Sequence, residues 1–206
     1  MADTLFSQSG GGTVAADTAS YTLGVLFQVS TDTSLAAIWF YSASGAAALP
    51  ATIAVFLQSS AALVSSQAAT WSGAAGSGWV RAAFASPPSL TAATYYTAAV
   101  FYGGGANWYS ATAHYWDTGA GASGITSGVL TAPNNATAAG LSHVTGQDGL
   151  DSSGVLAFPG GAFNAANYWA DPEVGTGGVP AALASSSAAA NASSNAISLG
   201  MTIRGS

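Results

Sequence analysis

Apolar side chains alternate with polar or small ones through most of this chain. In YTLGVLFQVS, Leu23, Val25 and Phe27 fall on one face, and the same period of two recurs in LAAIWFYSAS, PATIAVFLQSS, GWVRAAFAS and TYYTAAVFYGGG. A two-residue period is the mark of a β-strand, whose successive side chains point to opposite faces. Turn sequences rich in Gly, Pro and Ser, such as SGAAGSG and ASPPS, separate the segments. The pattern predicts an all-β fold, an antiparallel β-sandwich or jelly roll.

The alternation is uneven along the chain. It weakens between Gly119 and Gly154, where the residues are mostly Gly, Ser, Asn and other small types. We expect a long connection or a loosely structured face there. It returns in VLAFPGGAFNAANYWADPEV, and we take residues 1–175 as the sandwich domain.

Residues 176–206 have a different composition from the domain before them. The Ala/Ser/Asn run 181–196 can bury little apolar area and predicts a linker. After it, four apolar residues alternate as in a terminal strand: Ile197, Leu199, Met201 and Ile203. This strand is expected either to dock as an arm on another sheet or to return to its own sandwich as an edge strand.

Charge is scarce in this chain, and that limits its partners. Only 5% of the 206 residues are charged, there is no Lys, and Arg81 and Arg204 are the two basic residues. Two Arg cannot neutralise a phosphate backbone, so we expect no nucleic acid as a partner. A net charge of −6 also disfavours anionic lipid. No basic leader and no run of 18 apolar residues is visible, so we expect synthesis in the cytoplasm without membrane insertion.

The residue types that carry catalysis are sparse and scattered. There is no Cys, His114 and His143 are the two histidines, and no G-x-S-x-G elbow is present. A zinc site needs three or four ligands near one another, and the sequence offers no such group. We therefore expect a non-enzymatic protein with no metal and no cofactor.

The densest aromatic and polar cluster is NWYSATAHYWD, residues 107–117. Its candidate ligand or interface residues are Trp108, Tyr109, His114, Tyr115, Trp116 and Asp117. On a loop, the rings could stack on sugar faces while Asn107 and Asp117 bind hydroxyl groups. The alternative, favoured by the usual burial of aromatic residues, is packing in the core or at a subunit interface.

Two pairs of acidic residues have structural interpretations. Asp148 and Asp151 lack the bidentate Glu that an EF-hand loop requires, so they predict a turn held by side-chain hydrogen bonds. Asp171 and Glu173 flank a proline, which predicts the end of a strand. Either of these two carboxylates could pair with Arg81.

Three stretches resemble one protein family. TLFSQSGGGTVAADTASYTLGVLFQVSTDTSLAAIWFYSASG is similar to the opening of a bacterial and phage β-sandwich accessory domain of unknown function, with its T-L-F, T-L-G-V-x-F and I-x-F-Y motifs. SGWVRAAFASPPSLTAATYY and FNAANYWADPEV resemble its S-G-W-x-x-x-x-F and N-Y-W-V-D-V-x-F segments. The resemblance runs from Thr4 to Val174, and departs from the family where Pro172 replaces part of V-x-F.

The resemblance implies a sandwich fold and an accessory or structural role, with no known catalytic residues. Such domains occur in large secreted bacterial proteins, beside extracellular enzymes and in phage structural proteins. Because no export signal is visible and the Lys-free, Ala/Gly/Thr-rich composition fits a GC-rich coding sequence, we expect a bacteriophage structural protein at the virion surface. Capsid decoration, head fibre and minor tail protein are the candidate positions. The alternative is a carbohydrate-binding or adhesion module of an extracellular bacterial protein.

The expected mode of attachment follows from the low charge. We expect docking on other virion proteins through apolar and backbone contacts that resist salt, because salt screens only Coulombic terms. A homo-oligomer, with a trimer as one symmetry, would strengthen such attachment by multivalency. A host-surface glycan is a further candidate partner.

Overall fold

The structure, a computed structural model, describes residues 2–103 and 107–175. The predicted linker and the terminal strand with Ile197, Leu199, Met201 and Ile203 lie outside the described residues, as do the side chains of Asn107 and Trp108. The division of the chain at residue 175 stays a prediction. None of the helices in the described part has the length and apolar character that a membrane crossing requires.

Within the described residues, fourteen strands, a 3-10 turn and one short α-helix follow one another along the chain. They are β1 (Asp3–Thr4), β2 (Thr13–Asp17), β3 (Thr22–Val29), β4 (Thr33–Ser42), β5 (Thr52–Leu57), the 3-10 turn (Gln58–Ser60), β6 (Ala62–Ala68), β7 (Gly78–Ala83), β8 (Ser89–Leu90), β9 (Tyr95–Phe101), β10 (Asn107–Ala111), β11 (Ile125–Ser127), β12 (Leu130–Ala132), α1 (Asn135–Ala139), β13 (Asp148–Asp151) and β14 (Ala170–Val174).

The strands form two main antiparallel sheets and a separate ribbon. One sheet has the order β1-β14-β4-β7, with β8 also paired to β4. The other has the order β11-β12-β3-β9-β5-β6, with β13 also paired to β3. The ribbon consists of β2 and β10. The prediction of an all-β antiparallel sandwich is confirmed.

The core lies between the two sheets. Alternate residues of β3 and β4, such as Phe27 and Phe40, are fully buried there, as the two-residue period requires. Sheets packed in this way bury one face of each strand. The larger sheet is also covered on its outer face, where Phe158 packs edge-on against Phe56 of β5 with ring centroids 5.8 Å apart. This second cover explains why β3 and β5 are buried on both faces.

The segment between Gly119 and Gly154 is ordered into short elements, so the expectation of a loose connection is wrong. It contains β11, β12, α1 and β13, and both β12 and β13 pair with β3. The side chain of Asn134 caps α1 by accepting the Thr137 N–H at 2.9 Å. Strands of three or four residues are too short to display a two-residue period, which is why the pattern faded in the sequence.

Pro172 lies inside β14, and the prediction that the strand ends there is wrong. The Tyr41 N–H of β4 donates to the carbonyl of Trp169, the residue just before β14, at 3.2 Å, which marks these two residues as a hydrogen-bonded pair. Because hydrogen-bonded and non-hydrogen-bonded pairs alternate, Pro172 opposite Ile38 has no ladder bond to donate to β4. On its other side, β1 pairs only with the two residues after the proline. The missing N–H therefore interrupts neither neighbour.

Candidate functional site

The aromatic cluster at residues 107–117 is divided among different environments. Trp116 is 1% exposed and lies in the core. Tyr115 is half-buried and packs edge-on against it, with ring centroids 4.9 Å apart. His114 and Asp117 lie at the surface, where Nδ1 and Oδ2 are 3.1 Å apart. The hydrogen bond from His114 is the main reason that the pKa of Asp117 is lowered.

Tyr109, from the same cluster, belongs to another part of the molecule. It lies on β10, opposite Ala15 in the middle of β2. Its ring packs edge-on against Tyr21 and Tyr168, at centroid distances of 5.7 and 5.6 Å. Tyr109 thus contacts other rings than Tyr115 does, because the residues of a strand and of the turn after it face different directions.

A cleft of about 260 Å³ opens beside Tyr109. We call it the tyrosine cleft, and its lining residues are Asp17, Tyr21, Tyr109, Leu150, Ser152 and Phe163. Tyr109 had been singled out in the sequence, whereas Asp17, Tyr21 and Phe163 had not. The pairing of β2 with β10 brings Asp17 close to Tyr109, and Phe163 comes from a loop held by Asp148, so no local sequence pattern indicates the cleft.

A hydrogen-bonded acid and phenol form the polar wall of the tyrosine cleft. Asp17 Oδ1 accepts the Ala19 N–H at 2.9 Å, and Oδ2 accepts the Tyr21 hydroxyl at 2.8 Å. These two bonds, the Ala19 one first, lower the pKa of Asp17. The bond to Asp17 together with burial raises the pKa of Tyr21 to about 12. At neutral pH, Asp17 is therefore a carboxylate and Tyr21 a neutral phenol.

Phe163 also lines the tyrosine cleft and is 62% exposed. The loop that carries Phe163 is held by hydrogen bonds to the buried Asp148, which is 1% exposed. Asp148 Oδ2 accepts the N–H of Phe163 at 2.6 Å and that of Ala166 at 3.1 Å. Between them, Asn164 and Ala165 both have positive φ angles, of 56° and 43°. Burial raises the pKa of Asp148 to about 6 against the effect of these hydrogen bonds.

The two aspartates of β13 therefore have different roles. Asp151 accepts the Ser153 N–H at 3.0 Å, which is the predicted turn. For Asp148 the prediction of such a turn is wrong, because its carboxylate reaches a loop 15 to 18 residues further along the chain.

A second cleft, of about 400 Å³, lies beside the N-terminal segment. We call it the N-terminal cleft, and its lining residues are Leu5, Phe6, Ser7, Ser9, Gly10, Tyr115, Ala120, Ile125 and Trp169. Two of its large rings, Phe6 and Trp169, are only 6% and 5% exposed. It contains no ionisable side chain other than Tyr115. The smaller tyrosine cleft, with its carboxylate and exposed ring, is the better candidate for recognition.

Asp171 fixes the N-terminal segment in place. Its Oδ1 accepts the Leu5 N–H at 2.7 Å, and its Oδ2 accepts the Phe6 N–H at 3.1 Å and the Gln8 side-chain amide at 3.4 Å. Burial raises the pKa of Asp171 to about 7, although these three donors oppose the rise. Ser7 and Gln8 both have positive φ angles.

Arg81 pairs with Glu173, which decides between the two carboxylates left open by the sequence. The Arg81 Nε and Nη2 atoms donate to Oε2 and Oε1 of Glu173, both at 2.7 Å. The Trp39 indole N–H also donates to Oε2 at 2.7 Å. Arg81 is the main cause of the lowered pKa of Glu173. In the described part of the chain, no three His, Asp or Glu side chains lie together as metal ligands would.

A protein-family model described as Domain of unknown function (DUF4082) matches residues 7–170. The chain belongs to the DUF4082 family. No curated protein and no solved structure matches this chain. The family assignment agrees with the resemblance to a domain of unknown function that the sequence motifs indicated.

The residues matched by the DUF4082 model include the whole lining of the tyrosine cleft but only part of the lining of the N-terminal cleft. Every residue that lines the tyrosine cleft, and Asp148 beneath it, falls inside residues 7–170. Leu5 and Phe6, at the N-terminal cleft, and Asp171, which holds them, lie outside the matched range. The tyrosine cleft is thus built entirely from the DUF4082 region of the chain.

Proposed function

We propose that this DUF4082 domain is a non-enzymatic structural module of a bacteriophage particle, a capsid decoration, head-fibre or minor tail protein that docks through apolar and backbone contacts. One observation carries the mode of docking. Arg81 is the single Lys or Arg in the described residues, and its charge is compensated by Glu173 of its own sheet, which accepts from Nε and Nη2. The described residues therefore offer a partner no Lys or Arg whose charge is uncompensated, and attachment relies on uncharged contacts.

The outer edge of the larger sheet is a suitable docking surface. β6 is the last strand in the order, and its Leu63 and Val64 are 50% and 42% exposed. An exposed strand edge with apolar side chains favours pairing with another chain. Contacts of this kind support attachment to other virion proteins and self-association into a homo-oligomer, with a trimer as one symmetry. The proposed arm with Ile197, Leu199, Met201 and Ile203 would add to them.

The test of the virion proposal is to find the protein on particles. Particles are purified on a density gradient from the culture that produces the protein, and antibodies raised against the full chain are used to locate it. We expect it to co-sediment with particles and to stay bound between about 0.1 M and 1 M salt, because few ion pairs are available for screening. Its recovery only as free protein or in a particle-free secreted fraction would contradict the proposal.

The second candidate is a carbohydrate-binding or adhesion module of an extracellular bacterial protein. The tyrosine cleft favours it, because an exposed aromatic ring and a carboxylate line the same small cleft. The two candidates are compatible, since a virion surface protein can also contact a host glycan. Trp116 lies in the core and is therefore not part of this glycan proposal.

A further inference from the structure

We propose that the tyrosine cleft binds one ring of a neutral glycan, with the apolar face of the sugar on Phe163 and its hydroxyl groups on Asp17. This inference rests on the second candidate function above. The ligand class follows from the two walls of the cleft and from the lack of any basic side chain in its lining.

Phe163 is one of the few large apolar side chains of the described residues that are exposed. Burial of this ring would stabilise the fold, yet it is 62% exposed beside a cleft that contains a carboxylate. Its backbone is nevertheless fixed on both sides, by the Asp148 carboxylate and by the paired backbone hydrogen bonds of Leu150 and Gly161 at 2.9 and 3.0 Å. An exposed ring on a fixed backbone is preorganised, which lowers the entropic penalty of binding.

The polar wall is suited to ligands that donate hydrogen bonds. A carboxylate has about four lone-pair sites, and Asp17 uses one on each oxygen. Its remaining sites accept hydroxyl donors, and such bonds to a charged acceptor are stronger than neutral ones. The Tyr21 oxygen, which already donates to Asp17, can still accept. An anionic ligand would meet the Asp17 charge without any compensating cation in the cleft.

The size of the cleft limits how much of the ligand it can hold. Sites for drug-sized ligands measure about 300–1,000 Å³, and the tyrosine cleft is smaller, at about 260 Å³. A single sugar ring combines an apolar C–H face with a rim of hydroxyl donors, which matches a cleft lined by both an aromatic ring and a carboxylate. The rest of a glycan would extend into solvent.

The test starts with the full chain on an array of neutral oligosaccharides, followed by NMR titration with the best ligand. Phe163→Ala removes the apolar wall, and Asp17→Asn removes an acceptor and the charge. We expect each to weaken binding by about tenfold or more. Val155→Ala is the matched control, because Val155 is also an exposed apolar residue, at 61%, but does not line the tyrosine cleft, and the dissociation constant of this variant should stay within about twofold.

Asp148 is a positioning residue in this account, and a conservative variant separates that role from general stability. Phe163 and Ala166 both donate to the same Asp148 oxygen, so Asp148→Asn keeps the acceptor that both donors use. We expect Asp148→Asn to bind the glycan nearly as well as the wild type and Asp148→Ala to lose binding. Equal loss in both variants would contradict the positioning role.

The remaining outcomes distinguish the two levels of the proposal. If the wild type binds a glycan and Phe163→Ala and Asp17→Asn bind it equally well, the cleft is not the site, although the domain remains a carbohydrate-binding module. If no neutral glycan binds, both the inference and the second candidate function fail. Choline is included as a cationic probe, because aromatic rings beside a carboxylate can also hold a cation. Binding of choline in place of glycans would overturn the neutral ligand class.

Discussion

Two loops of this sandwich are each held by a buried aspartate, but the phenylalanine is buried in one loop and exposed in the other. In the first, residues 5–9, a buried Asp171 accepts the backbone N–H groups of Leu5 and Phe6. In the second, residues 162–166, a buried Asp148 does the same for Phe163 and Ala166. Each loop also contains two consecutive non-Gly residues with positive φ angles. Backbone in this conformation persists only where its surroundings hold it.

The phenylalanines of the two loops have opposite surroundings. Phe6 is 6% exposed, and its ring centroid lies within 6.5 Å of four other aromatic rings, those of Trp79, Tyr115, Trp116 and Trp169. Phe163 is 62% exposed and lines the tyrosine cleft. The first arrangement is explained by burial of apolar surface. The second leaves an apolar ring exposed on a loop held by hydrogen bonds, which is the arrangement that the proposed glycan binding requires.

Removal of the Phe6 ring should have the largest effect on the free energy of unfolding. Phe6→Ala leaves a cavity among four aromatic rings, and we expect it to lower the free energy of unfolding by about 4 kcal/mol. Urea denaturation of the full chain measures this. A loss below about 1 kcal/mol would mean that the N-terminal segment is not part of the core.

The two buried aspartates should also make the free energy of unfolding depend on pH. Folding raises the pKa of Asp171 to about 7 and of Asp148 to about 6, from 3.8. Between those values the folded state binds more protons than the unfolded state, so stability falls as pH rises. The lowered pKa values of Asp17, Asp117 and Glu173 act in the opposite sense, but only at more acidic pH.

We therefore expect the free energy of unfolding to increase by about 4 kcal/mol between about pH 8 and pH 5, since one pKa unit corresponds to about 1.4 kcal/mol. Denaturation at several pH values measures the change. Asp171→Asn should remove more of this dependence than Asp148→Asn, because its pKa is raised further. Stability that decreases steadily from pH 8 to pH 5 would contradict the prediction.

The two carboxylates should tolerate amide replacement unequally. Asp171 uses both oxygens as acceptors for backbone donors, whereas Asp148 uses a single oxygen for both. An amide nitrogen cannot accept, so at about pH 5 we expect Asp171→Asn to lose about 2 kcal/mol and Asp148→Asn less than about 0.5 kcal/mol. Calorimetric melting compares them. Equal losses would show that the difference in hydrogen bonding has no energetic effect.

The smallest expected effect belongs to Phe163. Because its ring contributes little buried area, Phe163→Ala should change the free energy of unfolding by less than about 0.5 kcal/mol. Measured beside Phe6→Ala in the same denaturation series, it tests whether the two rings differ as their exposure indicates. A loss of 2 kcal/mol or more would place Phe163 in a packing role and weaken the case for a binding surface.

The sequence predicted the parts of this fold that depend on long, regular strands. The alternating segments around Phe27 and Phe40 are β3 and β4, and the sandwich follows from such strands. The short strands after Gly119 and the proline in β14 were missed, because the first show no period and the second depends on which strand edge faces the proline.

The candidate site was less accessible from the sequence. Tyr109 was found because it lies in an aromatic run, but its neighbours in that run face the core or another surface. Asp17 and Phe163 reach the tyrosine cleft through the pairing of β2 with β10 and through the loop held by Asp148. These contacts join residues that are not neighbours in the chain, and the residue types alone do not predict them.

Amide hydrogen exchange tests most directly the claim that both loops are held equally well by their aspartates. The four amides concerned are those of Leu5, Phe6, Phe163 and Ala166. We expect all four to exchange at least about 100-fold more slowly than in an unstructured peptide. Slow exchange at Leu5 and Phe6 together with unprotected exchange at Phe163 and Ala166 would contradict it. Phe163 would then be exposed because its loop is not held, and not because the fold presents it to a ligand.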